Sequence, residues 1–328
     1  MLNTRTLRRT LLGGLAAGLL AAGTPALAQA GYPDRPIKLV IPFSAGGQFD
    51  IAARLLAQFA GAALKQPVVV ENVGGGGGNI GAAKVAGSPP DGYTLLVLGG
   101  NHTIAKSLYA KPGFDVTKDF SPISMVSITP HVLLVNAATP FQSMAELVDY
   151  ARKNPGKLSY GTPGMGTSMH LAFEMVKAHY GIDITHIPYR GGANALSDLA
   201  GGTVPVGIVG IAPAQEFIKA GRIRALAVTS KARSPALPEV PALSELGYPQ
   251  LDAGSWLGIA GPRGMPAELV ARWHGVVHAF QQDPANRKRL EEMGFRMEVT
   301  TPAQFQKFIL SETAAYGKVV RDNKISAD

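Results

Sequence analysis

Residues 37–56 read IKLVIPFSAGGQFDIAARLL, and the rest of the fold can be worked out from this stretch. The apolar run at 37–41 is typical of a strand that is covered on both faces. Gly46 and Gly47 allow positive φ angles and leave no side chain over the following turn. Apolar residues then recur at helical spacing over residues 48–63. The stretch therefore predicts a helix N-terminus at the carboxyl end of a strand, where backbone N–H groups can bind an anion.

The chain begins with the three parts of a secretory signal peptide, which we assign to residues 1–30. Arginines at positions 5, 8 and 9 precede an apolar run at 11–22, and small-x-small cleavage motifs follow at 26–30. We expect export by the Sec route, and the Arg8-Arg9 pair leaves the twin-arginine route open. The remaining length predicts two domains.

Composition excludes several classes of protein. The formal charge is +8 and the leader holds three arginines and no acid, so +8 − 3 leaves a mild +5. Basic residues are scattered, which argues against nucleic-acid binding. The chain has no cysteine, which excludes disulfides, a thiolate nucleophile, cysteine metal sites and a lipid-anchored cysteine. No apolar segment after residue 30 reaches the roughly 20 residues that span a bilayer. We expect a free monomer in the periplasm.

Strand-type runs alternate with helical patterns, which predicts an α/β fold with mostly parallel sheets. Two strand runs, 123–128 and 131–136, flank Thr129-Pro130, as expected where a chain leaves one sheet and enters another. After a further strand at 255–260 the pattern predicts only helices, so the chain must return to the first sheet. We therefore predict two lobes joined by two crossings, the layout of a hinged clamp. Lobe 1 would hold residues 31–130 and 253–328, and lobe 2 residues 131–252.

A second glycine loop resembles the first one. Residues 162–168 read TPGMGTS between a predicted strand and a predicted helix, with Thr167 or Ser168 as a good N-cap. A plain helix cap would explain this loop taken alone, but a matching loop in each lobe favours a shared anion site. Neither loop contains Lys or Arg, so its donors are neutral groups, which suit reversible capture of a carboxylate.

Other motifs are weaker. A G-x-G-x-x-G dinucleotide-binding motif matches at 76–81, but five consecutive glycines make that match trivial. No acid follows the next strand, which ends at Asn101. The alternative to nucleotide binding is a turn that brings the backbone close to another loop or to a ligand. Ser168 and His170 suggest a hydrolase only superficially, because they diverge on one turn and the final glycine of G-x-S-x-G is missing. No histidine has a metal-ligand spacing, so we predict neither metal nor cofactor.

Asp50 and Tyr189 each allow two interpretations. An acid in the first turn of a helix favours the dipole and can pair with Arg54 four residues on, without touching a ligand. The hydroxyl of Tyr189 could reach the ligand, or the ring could simply be partly buried.

With these residues in view, the chain resembles the Bug family, the periplasmic solute-binding receptors of tripartite tricarboxylate transporters. The resemblance covers nearly the whole mature chain. Its marks are PFSAGGQFD at 42–50, GNIG at 78–81, PDGYTLL at 90–96, GTSMHL at 166–171 and PYRG at 188–191. It implies a two-lobed, type II-like periplasmic-binding-protein clamp. Such a clamp would bind di- or tricarboxylates, amino acids or aromatic acids through the two glycine loops and dock transiently on membrane transporter subunits.

The resemblance also implies a set of binding residues and no catalytic ones. The predicted contacts are Phe43, Ser44, Ala45, Gly46, Gly47, Asp50, Asn101, Thr162, Gly166, Thr167, Ser168, His170, Tyr189 and Gly210. One departure matters: many members carry Asp-Asn where this chain has Val209-Gly210, which predicts a more apolar cleft and a ligand without an amino group. The alternatives are an exported α/β hydrolase that uses Ser168 and a receptor that serves a sensor kinase.

Overall fold

The computed structural model describes residues 31–249, 251–322 and 325. The chain divides into two compact units, residues 1–34 and 35–328. Of the first unit only residues 31–34 are described, and the Tyr32-Pro33 peptide bond there is cis. The predicted signal peptide and its export route therefore lie outside the described residues. Within the described ranges, no helix combines the length and the apolar character that crossing a bilayer requires.

The second unit alternates strands and helices. Its strands are β1 (Ile37–Ile41), β2 (Val68–Asn72), β3 (Thr94–Gly99), β4 (Phe120–Asn136), β5 (Ser159–Thr162), β6 (Thr185–Pro188), β7 (Val206–Gly210), β8 (Ile223–Val228), β9 (Gly254–Pro262) and β10 (Arg296–Met297). Its α-helices are α1 (Gln48–Leu64), α2 (Asn79–Ala86), α3 (Gly100–Leu108), α4 (Met144–Lys153), α5 (Ser168–Tyr180), α6 (Gly192–Gly201), α7 (Ile211–Lys219), α8 (Ala267–Gln282), α9 (Pro284–Glu292) and α10 (Pro302–Asp322).

The strands follow the order β2-β1-β3-β9-β4-β7-β5-β6, with β8 and β10 also paired to β4. Pairing is parallel among β1, β2 and β3 and among β5, β6 and β7. All pairs that involve β4 or β9 are antiparallel. The predicted α/β class is confirmed, and the sheet is mixed because these two strands run against their neighbours.

The long strand β4 serves both halves of the sheet. Its residues up to Pro130 pair with β9, and its residues from His131 onward pair with β7 and β8. The two strands predicted at 123–128 and 131–136 are thus one strand whose partners change at Pro130. The prediction that only helices follow β9 is wrong, since β10 pairs with β4. The assignment of residues 31–130 with 253–328 to one lobe and 131–252 to the other remains a prediction.

Separate cores support the two halves of the sheet. The first half, β1–β3 with β9, β10 and the start of β4, packs around Leu96, Trp256 and Phe305. The second half, β5–β8 with the end of β4, packs around Phe173 on one face and Leu196 on the other. At the carboxyl ends of the parallel strands, loops connect β1 to α1 and β5 to α5, whereas α3 and α7 begin directly after β3 and β7.

Candidate functional site: a cleft ringed by helix N-termini

The first glycine loop joins β1 to α1 as predicted. Gly46 has a φ of +80°, so the turn needs a glycine there. Gly47 is the N-cap of α1 with extended backbone at φ −79°, so its part is to leave space and not to adopt positive φ. Phe43 stacks on Phe49 with ring centroids 5.2 Å apart, which gives the loop an apolar inner wall.

Asp50 holds this loop in place from beneath. Its carboxylate accepts hydrogen bonds from the Gly46 N–H at 2.9 Å, the Arg54 Nε at 2.8 Å and the Asn72 Nδ2 at 2.9 Å. Asn72 also donates to the Phe43 carbonyl at 3.0 Å. Burial raises the pKa of Asp50, but the bonds from Arg54, Gly46 and Asn72 outweigh burial and lower the pKa below its ordinary 3.8. The predicted pairing with Arg54 is present, and the Gly46 N–H is used inside the loop.

The second glycine loop joins β5 to α5 and is fixed by its own hydroxyl groups. Thr167 is the N-cap, and its Oγ1 accepts the His170 N–H at 3.3 Å and donates to the Gly164 carbonyl at 2.8 Å. The hydroxyl oxygen of Thr162 lies 2.7 Å from Nε2 of His186. Gly166 has a φ of +72°. The cap thus uses the N–H of His170, and the N–H groups of Ser168 and Met169 remain at the start of α5.

Ser168 has two partners that are distant in sequence. Its Oγ lies 3.2 Å from Nε2 of His131 and 2.9 Å from Oγ of Ser255. Burial lowers the pKa of His131 to about 3, and its Nδ1 has no hydrogen-bond partner among the described residues. This Ser–His pair therefore lacks the carboxylate that orients a catalytic imidazole, and the imidazole is too weak a base near neutral pH.

Two other predicted residues are used for internal support. His170 stacks on His186 with ring centroids 4.1 Å apart, and its Nδ1 accepts the Gly166 N–H at 3.4 Å. The Tyr189 hydroxyl donates to Asp198 at 2.8 Å, and burial together with that carboxylate raises the pKa of Tyr189 to about 12. Burial also gives the chain a set of low-pKa histidines, at about 4 for His102 and His170 and about 3 for His131 and His186.

Backbone contacts join the loops of the two halves of the sheet across the cleft. The Ser44 N–H donates to the Arg190 carbonyl at 3.2 Å, and the Tyr109 hydroxyl donates to the Met165 carbonyl at 3.0 Å. A Cβ on Gly77 would overlap that same Met165 carbonyl oxygen. The five-glycine run thus lets two loops approach at backbone distance, which is the alternative that the sequence left open. The glycine run does not form a dinucleotide-binding motif.

Between the loops lies a narrow cavity of about 20 Å³, which we call the central cavity. Six predicted residues line it: Phe43, Gly47, Asn101, Thr167, Ser168 and Gly210. The other eight do not line it: Ser44, Ala45, Gly46, Asp50, Thr162, Gly166, His170 and Tyr189. Tyr189 lines a neighbouring cavity between the glycine run and the second loop. None of the side chains that line the central cavity is charged.

Five helices begin at the central cavity. Its wall includes the first residues of α1, α3, α5 and α6, which are Gln48, Gly100, Ser168 and Gly192, and the N-cap of α7, Gly210. The first N–H groups of a helix lack intrahelical partners and carry about half a positive charge. The cavity therefore offers neutral hydrogen-bond donors and a positive potential to an anion. No group of three metal-ligating side chains occurs in the described part of the chain.

Sequence reasoning missed several residues of the wall. Gln48 and Phe49 follow the Gly46-Gly47 pair directly, so their position next to the turn was a usable signal. Gly192 and Ser255 reach the cavity only through pairing between distant strands, and no local pattern marks them. No local pattern marks His131 either, which does not line the cavity but contacts Ser168 from 37 residues earlier in the chain.

Comparisons with known proteins agree on one family. The family model described as the tripartite tricarboxylate transporter family receptor matches residues 52–325. Protein BugT of Bordetella pertussis is 35% identical over 293 residues, which are 89% of this chain and 90% of BugT. The structure of Rpa4515 from R. palustris with adipate superposes with a TM-score of 0.87 at 35% identity, over 90% of this chain and 99% of the other. The structure of MatC from Rhodopseudomonas palustris with bound malate superposes with a TM-score of 0.84 at 29% identity, over 88% of this chain and 100% of the other. The predicted clamp fold is confirmed.

Proposed function

Because this chain belongs to the receptor family of tripartite tricarboxylate transporters, we propose that it captures a small carboxylate in the periplasm and delivers it to membrane transporter subunits. The observation that carries the proposal is the convergence of five helix N-termini on one cavity that has no charged lining side chain. A carboxylate would be held there by neutral N–H and hydroxyl donors. Such donors give binding that is easily reversed, as a transport receptor requires.

The chemistry of the wall narrows the ligand class. Phe43, Phe49 and Met169 supply apolar surface for a short carbon chain, and the helix N-termini supply donors for carboxylates at its ends. No carboxylate lines the cavity, so an ammonium group would lose its hydration without gaining an ion pair. We therefore infer a di- or tricarboxylate or an aromatic acid in preference to an amino acid. Rpa4515 with adipate and MatC with bound malate support the choice of a dicarboxylate.

Closure of the clamp completes the receptor's role. Binding drives closure only to the extent that the ligand contacts the second glycine loop more favourably in the closed form. The closed form then presents both lobes together to the transporter. We infer that the receptor acts as a monomer, because each half of the cleft comes from the same chain.

Isothermal titration of the mature protein tests this function directly. Adipate, malate, citrate, benzoate and glutamate form the panel, and adipamide is the control that lacks both charges. We expect saturable binding of at least one acid without an amino group, and no binding of adipamide. Tighter binding of glutamate than of every other acid would overturn the ligand class.

The hydrolase alternative rests on the contact between Ser168 and His131. An ester substrate such as p-nitrophenyl acetate decides between the two functions. Turnover that disappears in Ser168→Ala would establish the hydrolase and refute the receptor. Absence of turnover in both proteins, together with binding of a carboxylate, supports the receptor.

A further inference from the structure

Gln48 is a buried polar residue of the central cavity that no hydrogen bond accounts for. It is the first residue of α1, only 6% of it is exposed, and it lines the cavity. Both amide atoms, Oε1 and Nε2, are buried without a hydrogen-bond partner among the described residues. A buried amide without any hydrogen bond lowers the stability of the protein, so the amide of Gln48 calls for a partner from outside the chain.

The amide of Gln48 lies across the cleft against Gly210. Gly210 ends β7 and caps α7 in the second half of the sheet, whereas Gln48 begins α1 in the first half. A Cβ on Gly210 would overlap the Gln48 amide, so any other residue at this position would occupy the place of the amide. The backbone of Gly210 at φ −71° does not itself require glycine. The glycine is therefore explained by the room that it gives to Gln48.

We propose that Gln48 determines the specificity of the cleft by binding the end of the ligand that lies against Gly210. This inference rests on the proposed function as a carboxylate receptor. The amide offers donors at Nε2 and an acceptor at Oε1. A plain carboxylate is an acceptor only, so it satisfies the donors and leaves Oε1 without a partner.

A carboxylate with a neighbouring hydroxyl satisfies both halves of the amide. The carboxylate oxygen accepts from Nε2, while the hydroxyl donates to Oε1. The cavity has no charged side chain that would replace this arrangement with an ion pair. The ligand class that fits is a 2-hydroxy acid that carries a second carboxylate for the glycine loops. A site that is built to bond a hydroxyl rejects the analogue without it, because the buried acceptor of the protein then stays unpaired.

Two pairs of acids of equal length isolate the hydroxyl group. Calorimetry compares malate with succinate and 2-hydroxyadipate with adipate. For at least one pair, we expect the wild-type protein to bind the hydroxy acid at least tenfold more tightly. One unsatisfied buried group produces a factor of roughly 5- to 150-fold. In Gln48→Met, which keeps the length of the side chain but not its polar atoms, the preference should fall to about one.

Gly210→Ala provides an independent second variant. Its new Cβ displaces the amide without changing Gln48 itself, so the hydroxyl preference should fall again. Gly201→Ala is the matched control, because a Cβ there meets no atom within 4 Å, and it should keep the preference of the wild type. Urea unfolding checks that each variant is folded, and if Gln48→Met is not, Gly210→Ala decides the outcome.

The possible results separate this inference from the function on which it rests. Failure of the wild type to bind any of the four acids or any other carboxylate overturns both. Binding of carboxylates with equal affinity for the hydroxy and plain acids overturns the role of Gln48 and leaves the receptor intact. Retention of the hydroxyl preference in a folded Gln48→Met or Gly210→Ala protein does the same.

Discussion

Replacing Asp50 by alanine should loosen the first glycine loop, because this carboxylate holds the loop from beneath. Three hydrogen bonds are lost, from the Gly46 N–H, Asn72 and Arg54. The Arg54 side chain is 51% exposed, so its ion pair contributes little. The other two are hydrogen bonds to a buried charged group, each worth roughly 1.5–3 kcal/mol. Water can replace part of the bond to Gly46, which is exposed. We expect a loss of about 2–3 kcal/mol in the free energy of unfolding.

Urea unfolding at pH 7, followed by circular dichroism, measures this loss. In a thermal scan the same change corresponds to a decrease in Tm of about 4 °C for a chain of this size. Ligand affinity should fall as well, because Gly46 loses its bond to the carboxylate and Asn72, which donates to the carbonyl of the cavity residue Phe43, loses one of its two anchors. Asp50→Asn should lie between alanine and the wild type, since its amide oxygen still accepts one bond.

The matched control is Glu216→Gln on α7. Glu216 pairs with Lys219 at 2.9 Å, but both side chains are largely exposed, so the change should stay within about 0.5 kcal/mol. If Asp50→Ala proves as stable as Glu216→Gln, the carboxylate does not hold the loop, and Asp50 would have to be reconsidered as a direct contact to the ligand.

Two further predictions concern closure and pH. Gly77→Ala should weaken ligand binding about tenfold or more, because its Cβ would overlap the Met165 carbonyl where the two loops meet. Gly181→Ala is the control for this titration, because φ is +62° at Gly181 and +63° at Gly77, but a Cβ on Gly181 would meet no atom within 4 Å. Equal losses of affinity in both variants would attribute the effect to backbone strain alone. The four low-pKa histidines should destabilise the protein in acid. Their folded pKa values lie near 3 and 4, below the ordinary 6.5, so the unfolded chain takes up protons first. Stability is then complete above pH 6.5 and falls below it, by up to about 5 kcal/mol per pH unit if all four contribute. Urea midpoints that stay constant from pH 6.5 to 4.5 would contradict this.

The local parts of the fold and site could be predicted from sequence because their causes are local. Glycines after an apolar strand mark the first loop, and Thr167 caps α5 as its hydroxyl and position indicate. Thr129-Pro130 predicted a break between two strands, since proline cannot donate to a ladder. The strand in fact continues through Pro130, which lies where β4 exchanges its partners. β10 was missed because two residues carry no periodic signal.

The chemistry of the cleft was harder to predict because it depends on pairs of residues that are far apart in sequence. Ser168 meets His131 and Ser255, which are 37 and 87 residues away. Gln48 faces Gly210. The missing side chain at position 210 is explained only by the amide of Gln48 that lies against it. Asp50 was a candidate contact because of its position in the motif. Only its three partners identify it as a support of the loop.

Contacts between residues that are distant in sequence also explain how a cleft without charged side chains can respond to its ligand. In the proposed receptor, closure would form the two hydrogen bonds seen across the cleft, Ser44 N–H to Arg190 and Tyr109 to Met165, worth about 1 kcal/mol each. It also buries polar atoms that the chain leaves unpaired, including Ser44 Oγ and both amide atoms of Gln48. These costs are of similar size or larger, roughly 1–3 kcal/mol for each group, so we expect closure without a ligand to be unfavourable in the proposed receptor. A ligand that supplies the missing partners changes the sign of the balance, and a ligand that supplies only some of them closes the clamp less often. In the proposed receptor, selectivity and closure would then have a single physical origin, because the atoms that discriminate between ligands are the ones that closure leaves unpaired without a ligand.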